Sequence, residues 1–218
     1  MAPKMPAVDA DEELPAWATA EVLVLGCGNP LMGDDGFGPA VAERLLNEGA
    51  GCRGPGAGSR TTNDDETGLE YLPGARPPAP GARHPAPDIC VINIGTGSRG
   101  IMFNLVAGPV RPKAIIIVDA LEAQKRPGEL FWVNVEDLSI EKAEDFSLHM
   151  TPASNMLLDL KKAGVEIKIL ACQPKNLPEA MSERLSPEVA KAVGPAAEIV
   201  MEMAGALIPR KTERGTPE

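Results

Sequence analysis

Three polar residues stand where apolar segments end or where helices are about to begin: Asp35, Asp119 and His149. Two carboxylates and one imidazole form a set of hard and borderline ligands, better suited to Ni, Zn or Fe than to Mg or Ca. A metal held by such a set polarises a carbonyl or activates a water for hydrolysis. The three lie on separate segments, so only the fold can bring them together. Each also has a plainer reading. Asp119 could accept backbone hydrogen bonds at a strand end, His149 could orient a helix start, and Asp34 or Asp35 could cap a helix. Of the two histidines, His84 falls in a proline-rich stretch, so a multi-histidine zinc site is nearly excluded. There is no G-x-S-x-G nucleophile elbow, and a cysteine nucleophile would have only His149 as its base.

The first of these acids sits in the stretch around which the chain is organised, Glu21–Gly38, EVLVLGCGNPLMGDDGFG. An apolar run, Val22–Leu25, stops at a glycine turn. The acids Asp34 and Asp35 follow, and then a helical pattern opens. In open α/β sheets, chemistry gathers at such strand-to-helix elbows. A dinucleotide fingerprint is rejected, because Leu31 occupies the place of its third glycine and acids in the turn repel a pyrophosphate. Two acids are more than one cap requires, so one is expected to cap while the other faces the cleft.

The remaining segments supply the frame. Glu21–Leu25 reads as the first strand, and Phe37, Val41 and Leu45 as one face of the next helix. Strands are expected at Ile89–Ile94, Ala114–Val118, Leu130–Val135 and Val165–Ala171, with Ile101, Met102 and Leu105 on a short helix or turn. The all-apolar Ala114–Val118 suits a central strand covered on both faces. Thr151 and Pro152 open a helix carrying Ala153, Met156, Leu157 and Leu160, and Ser186-Pro187 opens the last one. Gly194-Pro195 predicts a kink or break in that last helix. The alternation indicates a three-layer α/β/α sandwich, phosphorylase/hydrolase-like, with a mostly parallel, mixed central sheet. Residues 20–208 are read as a single domain between flexible tails at 1–19 and 209–218. A Gly/Pro-rich insertion spans 50–88, with a short ordered core expected at Leu69–Leu72.

Composition narrows the function classes. A formal net charge of −10 without a basic stripe argues against a nucleic-acid binder. No apolar run approaches a membrane span, and the N-terminal stretch lacks a signal core. The four cysteines form no C-x-x-C pair. Cys27, Cys90 and Cys172 lie in or beside apolar runs and read as small buried hydrophobes. A cytoplasmic, reducing compartment is expected.

GCGNPLMGDDGFG resembles the G-x-G-N-x-L-x-x-D-D/E-G-x-G signature of the [NiFe]-hydrogenase maturation endopeptidases. INIGTGS (Ile92–Ser98), IIIVDAL (Ile115–Leu121), SLHMTPASNMLL (Ser147–Leu158), ACQPKNL and LSPEVAKAV agree with that family in order, over most of residues 21–204 outside the insertion. The resemblance implies an aspartyl-type endopeptidase that clips a C-terminal extension from the hydrogenase large-subunit precursor after nickel insertion. It implies Asp35, Asp119 and His149 as catalytic and metal-contacting residues. The nickel is carried by the substrate, so the free enzyme is expected to be metal-free. The matching loops imply substrate-binding positions at Gly28, Asn29, Asn93, Gly95 and Thr96. One departure stands out: Asn93 replaces an acid common in the family, so no general-base role is assigned to it. An amide there orients substrate backbone. That departure keeps a second reading open, a non-catalytic chaperone for the large subunit. A nucleoside phosphorylase on a related sheet has no phosphate loop to support it. The long insertion is read as a mark of the branch serving coenzyme F420-reducing hydrogenase.

Overall fold

The computed structural model describes residues 16–52, 88–137, 154–177 and 181–208. Strand β1, Val22–Cys27, is buried at every position, and a strand apolar on both faces must be covered on both. It therefore lies inside the sheet, between β2 (Ile89–Gly95) and β3 (Ala114–Ala120), and is parallel to both. Beyond β3, the strand Glu166–Cys172 (β5) continues the parallel set, and Leu130–Val133 (β4) pairs antiparallel with it at the edge. The five strands run in the order β2-β1-β3-β5-β4, a mostly parallel mixed sheet as expected.

Side chains alternate across this sheet, and each half meets its own pair of helices. Leu23, Leu25, Ile115, Ile117 and Ile169 join a core with Met102, Leu105, Leu157 and Leu160 of helices α3 (Ser98–Ala107) and α4 (Ser154–Lys162). Val22, Val24, Ile116, Val118 and Leu170 join the other core. There they meet Phe37, Val41 and Leu45 of α2 (Phe37–Asn47) and Val189 and Val200 of α5 (Pro187–Leu207). This is the three-layer sandwich. The chain leaves β1 through α2 on one face and leaves β2 through α3 on the other. The connections thus diverge around β1, and a crevice is left at the carboxyl ends of β1 and β3.

Backbone meets backbone where α2 starts. A Cβ at Gly38 would overlap the carbonyl oxygens of Cys27 and Val118, and one at Gly26 would overlap Gly38 O and Ala42 Cβ. Neither neighbour is a flexible side chain that could swing aside. Gly38→Ala is expected to lose about 1–3 kcal/mol, the range for overpacking, read as a lower urea midpoint at unchanged slope.

Several expectations are corrected. Residues 16–19, assigned to the N-terminal tail, form a helical turn, α1 (Ala16–Thr19), with Trp17 and Ala18 against the protein interior. Of the short helix or turn expected after Gly97, the structure takes the helix, over 10 residues. Strand β4 stops at Val133, and Val135–Asp137 is a 3-10 turn. Helix α5 runs unbroken through Pro195. Pro195 lies on the exposed face, so the carbonyl its missing N–H abandons is left to water. Cys90 is buried but not a lone hydrophobe: it is disulfide-bonded to Cys52, with Cα atoms 4.2 Å apart. A bridge between Gly51 and Val91 lays the chain after α2 alongside β2 and sets up that pairing. No C-x-x-C spacing announces it, since 38 positions separate the two cysteines. The expected ordered core at Leu69–Leu72 and the helix start at Thr151-Pro152 lie outside the described residues. Among the described residues no helix is long and apolar enough to cross a membrane.

Candidate active site

The elbow is built by its glycines. Gly28 has φ +122° and Gly33 φ +57°, conformations that L side chains rarely adopt. Gly28 N–H donates to the Gly95 carbonyl at 3.0 Å, tying the end of β1 to the end of β2. The 3-10 turn Gly33–Gly36 then carries both acids into the interior, Asp34 at 3% and Asp35 at 7% exposed.

The two acids have opposite tasks, and neither caps α2. Asp34 reaches across the chain. Its carboxylate accepts from Lys175 N (2.8 Å), Asn176 N (3.4 Å), Ser186 N (2.6 Å) and Ser186 Oγ (2.9 Å). One buried charge therefore fastens the elbow to the exit of β5 and to the N-cap of α5. Asp35 turns back on the glycine loop, where its Oδ2 accepts from Asn29 N at 2.8 Å.

Asp119 occupies the end of β3 on the register of Ile115 and Ile117, and it is fully buried. Its Oδ1 accepts from Ala120 N at 2.8 Å, while Oδ2 has no hydrogen-bond partner among the described residues. Burial, and after it the charge of Asp35, pushes the Asp119 carboxyl well above the usual carboxylate range, and the Ala120 N–H offsets only part of this. Gly28 lies between the two acids. A Cβ there would overlap the Asp35 carbonyl oxygen and come within 3.4 Å of Asp119 Oδ1. The fold thus brings Asp35 and Asp119 near each other across Gly28. His149 lies outside the described residues, and among these no group of three His, Cys, Asp or Glu side chains could hold a metal ion.

The remaining expected positions form the rim. Asn29 Oδ1 accepts from Leu31 N at 3.0 Å, holding the loop's own shape. Asn93 Oδ1 accepts from Gly95 N at 3.2 Å, and its amide donates to Glu43 Oε1 at 3.3 Å. Gly95 has φ +50°, and Thr96 is exposed. Two groups escaped the sequence reading. Buried Gln173 takes Ala123 N (2.8 Å) and Lys125 N (3.1 Å) on Oε1 and donates to Glu122 Oε1 (2.8 Å) and Pro174 O (3.0 Å). It thereby fixes the loop that follows Asp119. Glu43 was missed because it stands on the polar side of α2, where a charge is unremarkable.

The same electrostatics disfavour thiol chemistry at the two free cysteines, Cys27 and Cys172. Burial, then the Asp119 charge, raises the Cys27 thiol well above its ordinary value. Burial, then the Asp34 charge, pushes Cys172 up to about 12. Both stay protonated at neutral pH and are poor nucleophiles.

A doubly covered parallel sheet with paired acids at its carboxyl edge is the arrangement of an α/β enzyme. Residues 81–203 match the family model described as hydrogenase maturation protease. A Methanocaldococcus jannaschii protein that bears the name hydrogenase maturation protease provisionally is 30% identical over 184 residues, 83% of this chain and 94% of the relative. The coenzyme F420 hydrogenase subunit delta of Methanothermobacter thermautotrophicus is 28% identical, over 85% of this chain and 96% of its own. The chain belongs to the hydrogenase maturation protease family, and it is a peptidase. In fold it is similar to the hydrogenase maturating endopeptidase HybD of E. coli, with a TM-score of 0.56 at 20% identity over 87% of this chain and 98% of that one.

Proposed function

We propose that this protease removes the C-terminal extension of a [NiFe]-hydrogenase large-subunit precursor after nickel insertion, and that Asp35, Asp119 and His149 read the nickel the precursor carries. The observation that carries this reading is the orphaned Oδ2 of Asp119. A fully buried carboxylate oxygen without a donor is costly to keep ionised. In the free enzyme a proton relieves that cost. A cation arriving with the substrate displaces the proton, because carboxylate ligands bind metals deprotonated. The donor set of two carboxylates and an imidazole suits nickel. Nickel is thus part of what is recognised, and a precursor without it presents the bond but not the ion. Asp35, hydrogen-bonded to the glycine loop at Asn29, places the second carboxylate against the same crevice. Asn93, Gly95 and Thr96 on the neighbouring strand end orient the substrate backbone, with Gly28 and Asn29 opposite. The similarity to an F420 hydrogenase subunit delta supports a client of the coenzyme F420-reducing type. A cytoplasmic site of action belongs to the same reading, although the Cys52–Cys90 bridge runs against the reducing compartment expected from the cysteines.

The test is purified precursor, nickel-loaded and nickel-free, mixed with the protein and followed by intact mass. The expected result is loss of the C-terminal extension from the loaded precursor alone. Equal trimming of both forms would refute nickel recognition. A loaded precursor that binds and stays uncut would favour the chaperone.

A further inference from the structure

The elbow has a second side. Pro30, Pro39 and Leu185, with Glu43 and Glu183, line a pocket of about 130 Å³ between the first turn of α2 and the segment leading into α5. Asp35, Asp119, Gly28, Asn29, Gly95 and Thr96 are not among its lining residues. It thus shares the Gly33–Gly36 turn with Asp35 but is lined by other side chains. We propose that this pocket is an exosite that takes a lysine or arginine side chain from an apolar stretch of the client protein.

Charge decides the occupant. Among the described residues Glu43 and Glu183 have no lysine or arginine partner, whereas Glu48 pairs with Arg44 at 3.1 Å and Glu188 with Lys175 at 2.8 Å on the same side of the sheet. Glu43 makes only the 3.3 Å contact with the neutral amide of Asn93. Both glutamates line the one pocket, and a cation seated in it would be drawn by both charges. The other lining groups are apolar, as the methylene stem of a long basic side chain requires. Its head would form charge-assisted hydrogen bonds with the two glutamates. The net charge of −10 draws basic segments toward the protein in general.

Exposed apolar side chains stand on the same two segments as the pocket. Leu31 and Met181 are 41% and 72% exposed. They are held together, since Ser182 N–H donates to the Leu31 carbonyl at 2.8 Å and Met32 bridges Ser182. The pocket is also made in advance. Its two walls belong to segments that Asp34 fastens together through Ser186, so little ordering opposes binding.

The exosite rests on the protease reading only for the identity of the client, and its test does not involve cleavage. The probes are acetyl-Leu-Arg-Leu-amide and acetyl-Leu-Gln-Leu-amide, titrated into the full chain and followed by backbone amide NMR. The arginine peptide should shift amides within 31–43 and 182–185 and bind at least about tenfold more tightly than the glutamine peptide. In Glu183→Gln, and further in the Glu43→Gln/Glu183→Gln double variant, its affinity should fall toward that of the glutamine peptide. Both side chains are exposed, so the variants are expected to fold, and their spectra report this directly. Equal affinity for the two peptides, shifts centred on residues 93–96 and 119, an unaffected double variant, or no saturable binding would each overturn the proposal. Precursor cleavage, scored separately by mass, speaks only to the protease reading.

Discussion

Asp119→Asn should cut the nickel-loaded precursor about 10²–10⁴-fold more slowly, the usual range when a positioned acid or base is lost, and yet withstand heat better than the parent. Both results come from one cause. Burial and the neighbouring Asp35 charge raise the folded-state pKa of Asp119 above its unfolded value. For an acid shifted in that direction, the folded state binds the proton more tightly than the unfolded state does. Its destabilising contribution is therefore absent below the unfolded pKa, grows as pH rises through the window between the two values, and is complete above the folded pKa. An amide of the same shape keeps the Oδ1 acceptor for Ala120 N and carries no charge into the interior. The gain in melting temperature should be present at neutral pH and should shrink toward zero as pH falls below the ordinary carboxylate range. For a chain of this size it amounts to roughly 2–4 °C for each kcal/mol. A melting temperature that drops at pH 7 would show that Oδ2 has a partner and that the acid is structural. Unchanged cleavage would remove Asp119 from the reaction.

Asp34→Ala, one residue from the proposed catalytic acid, should fail for a different reason. Its carboxylate accepts four hydrogen bonds from two distant segments, three of them from backbone N–H groups. Bonds to a charged group are worth about 1.5–3 kcal/mol each, and buried donors left bare add their own cost. They are not additive, so a loss of about 3–5 kcal/mol is expected, a large part of the total stability of an ordinary domain. Asp34→Asn should recover little. The amide turns one acceptor into a donor, and both oxygens face N–H or O–H groups. Ser186→Ala removes only the hydroxyl bond and should cost about 1 kcal/mol. Denaturant melts of the three variants should keep that order. Asp34→Ala within about 0.5 kcal/mol of the parent would mean that the clamp holds nothing.

The sheet was legible because its central strands announce themselves. Ala114–Val118 has no polar residue, and Val22–Leu25 ends in a turn no helix could contain. Helix faces were equally plain where Phe37, Val41 and Leu45 recur at helical spacing. What local pattern could not reveal is who meets whom. The separations that matter at Asp34 are 141 to 152 residues, and nothing in G-D-D-G says which acid faces inward to a clamp and which to a crevice. Gln173 looked like a strand exit because three of its four partners lie in a loop about fifty positions earlier. Pro195 does not break α5, and it stands on the exposed face, where the carbonyl it abandons can meet water. Asp119 was conspicuous as a charge at the end of an apolar run, and Asp35 as an acid just before a helical pattern. Glu43 was not, because charge on the outer face of a helix is ordinary.

The Cys52–Cys90 link closes a circle whose two ends leave and re-enter the sheet at one spot, with Cα atoms 4.2 Å apart. Pairing of β1 with β2 starts at Ile89, immediately before the bridged Cys90, and runs from there to Gly95. Lengthening a closed excursion is thermodynamically cheap, about 0.6 kcal/mol for each doubling. An excursion anchored at two such ends can therefore change in length at little cost to the elbow and its acids. A graft, a tag or a new recognition element placed there would leave the catalytic edge undisturbed.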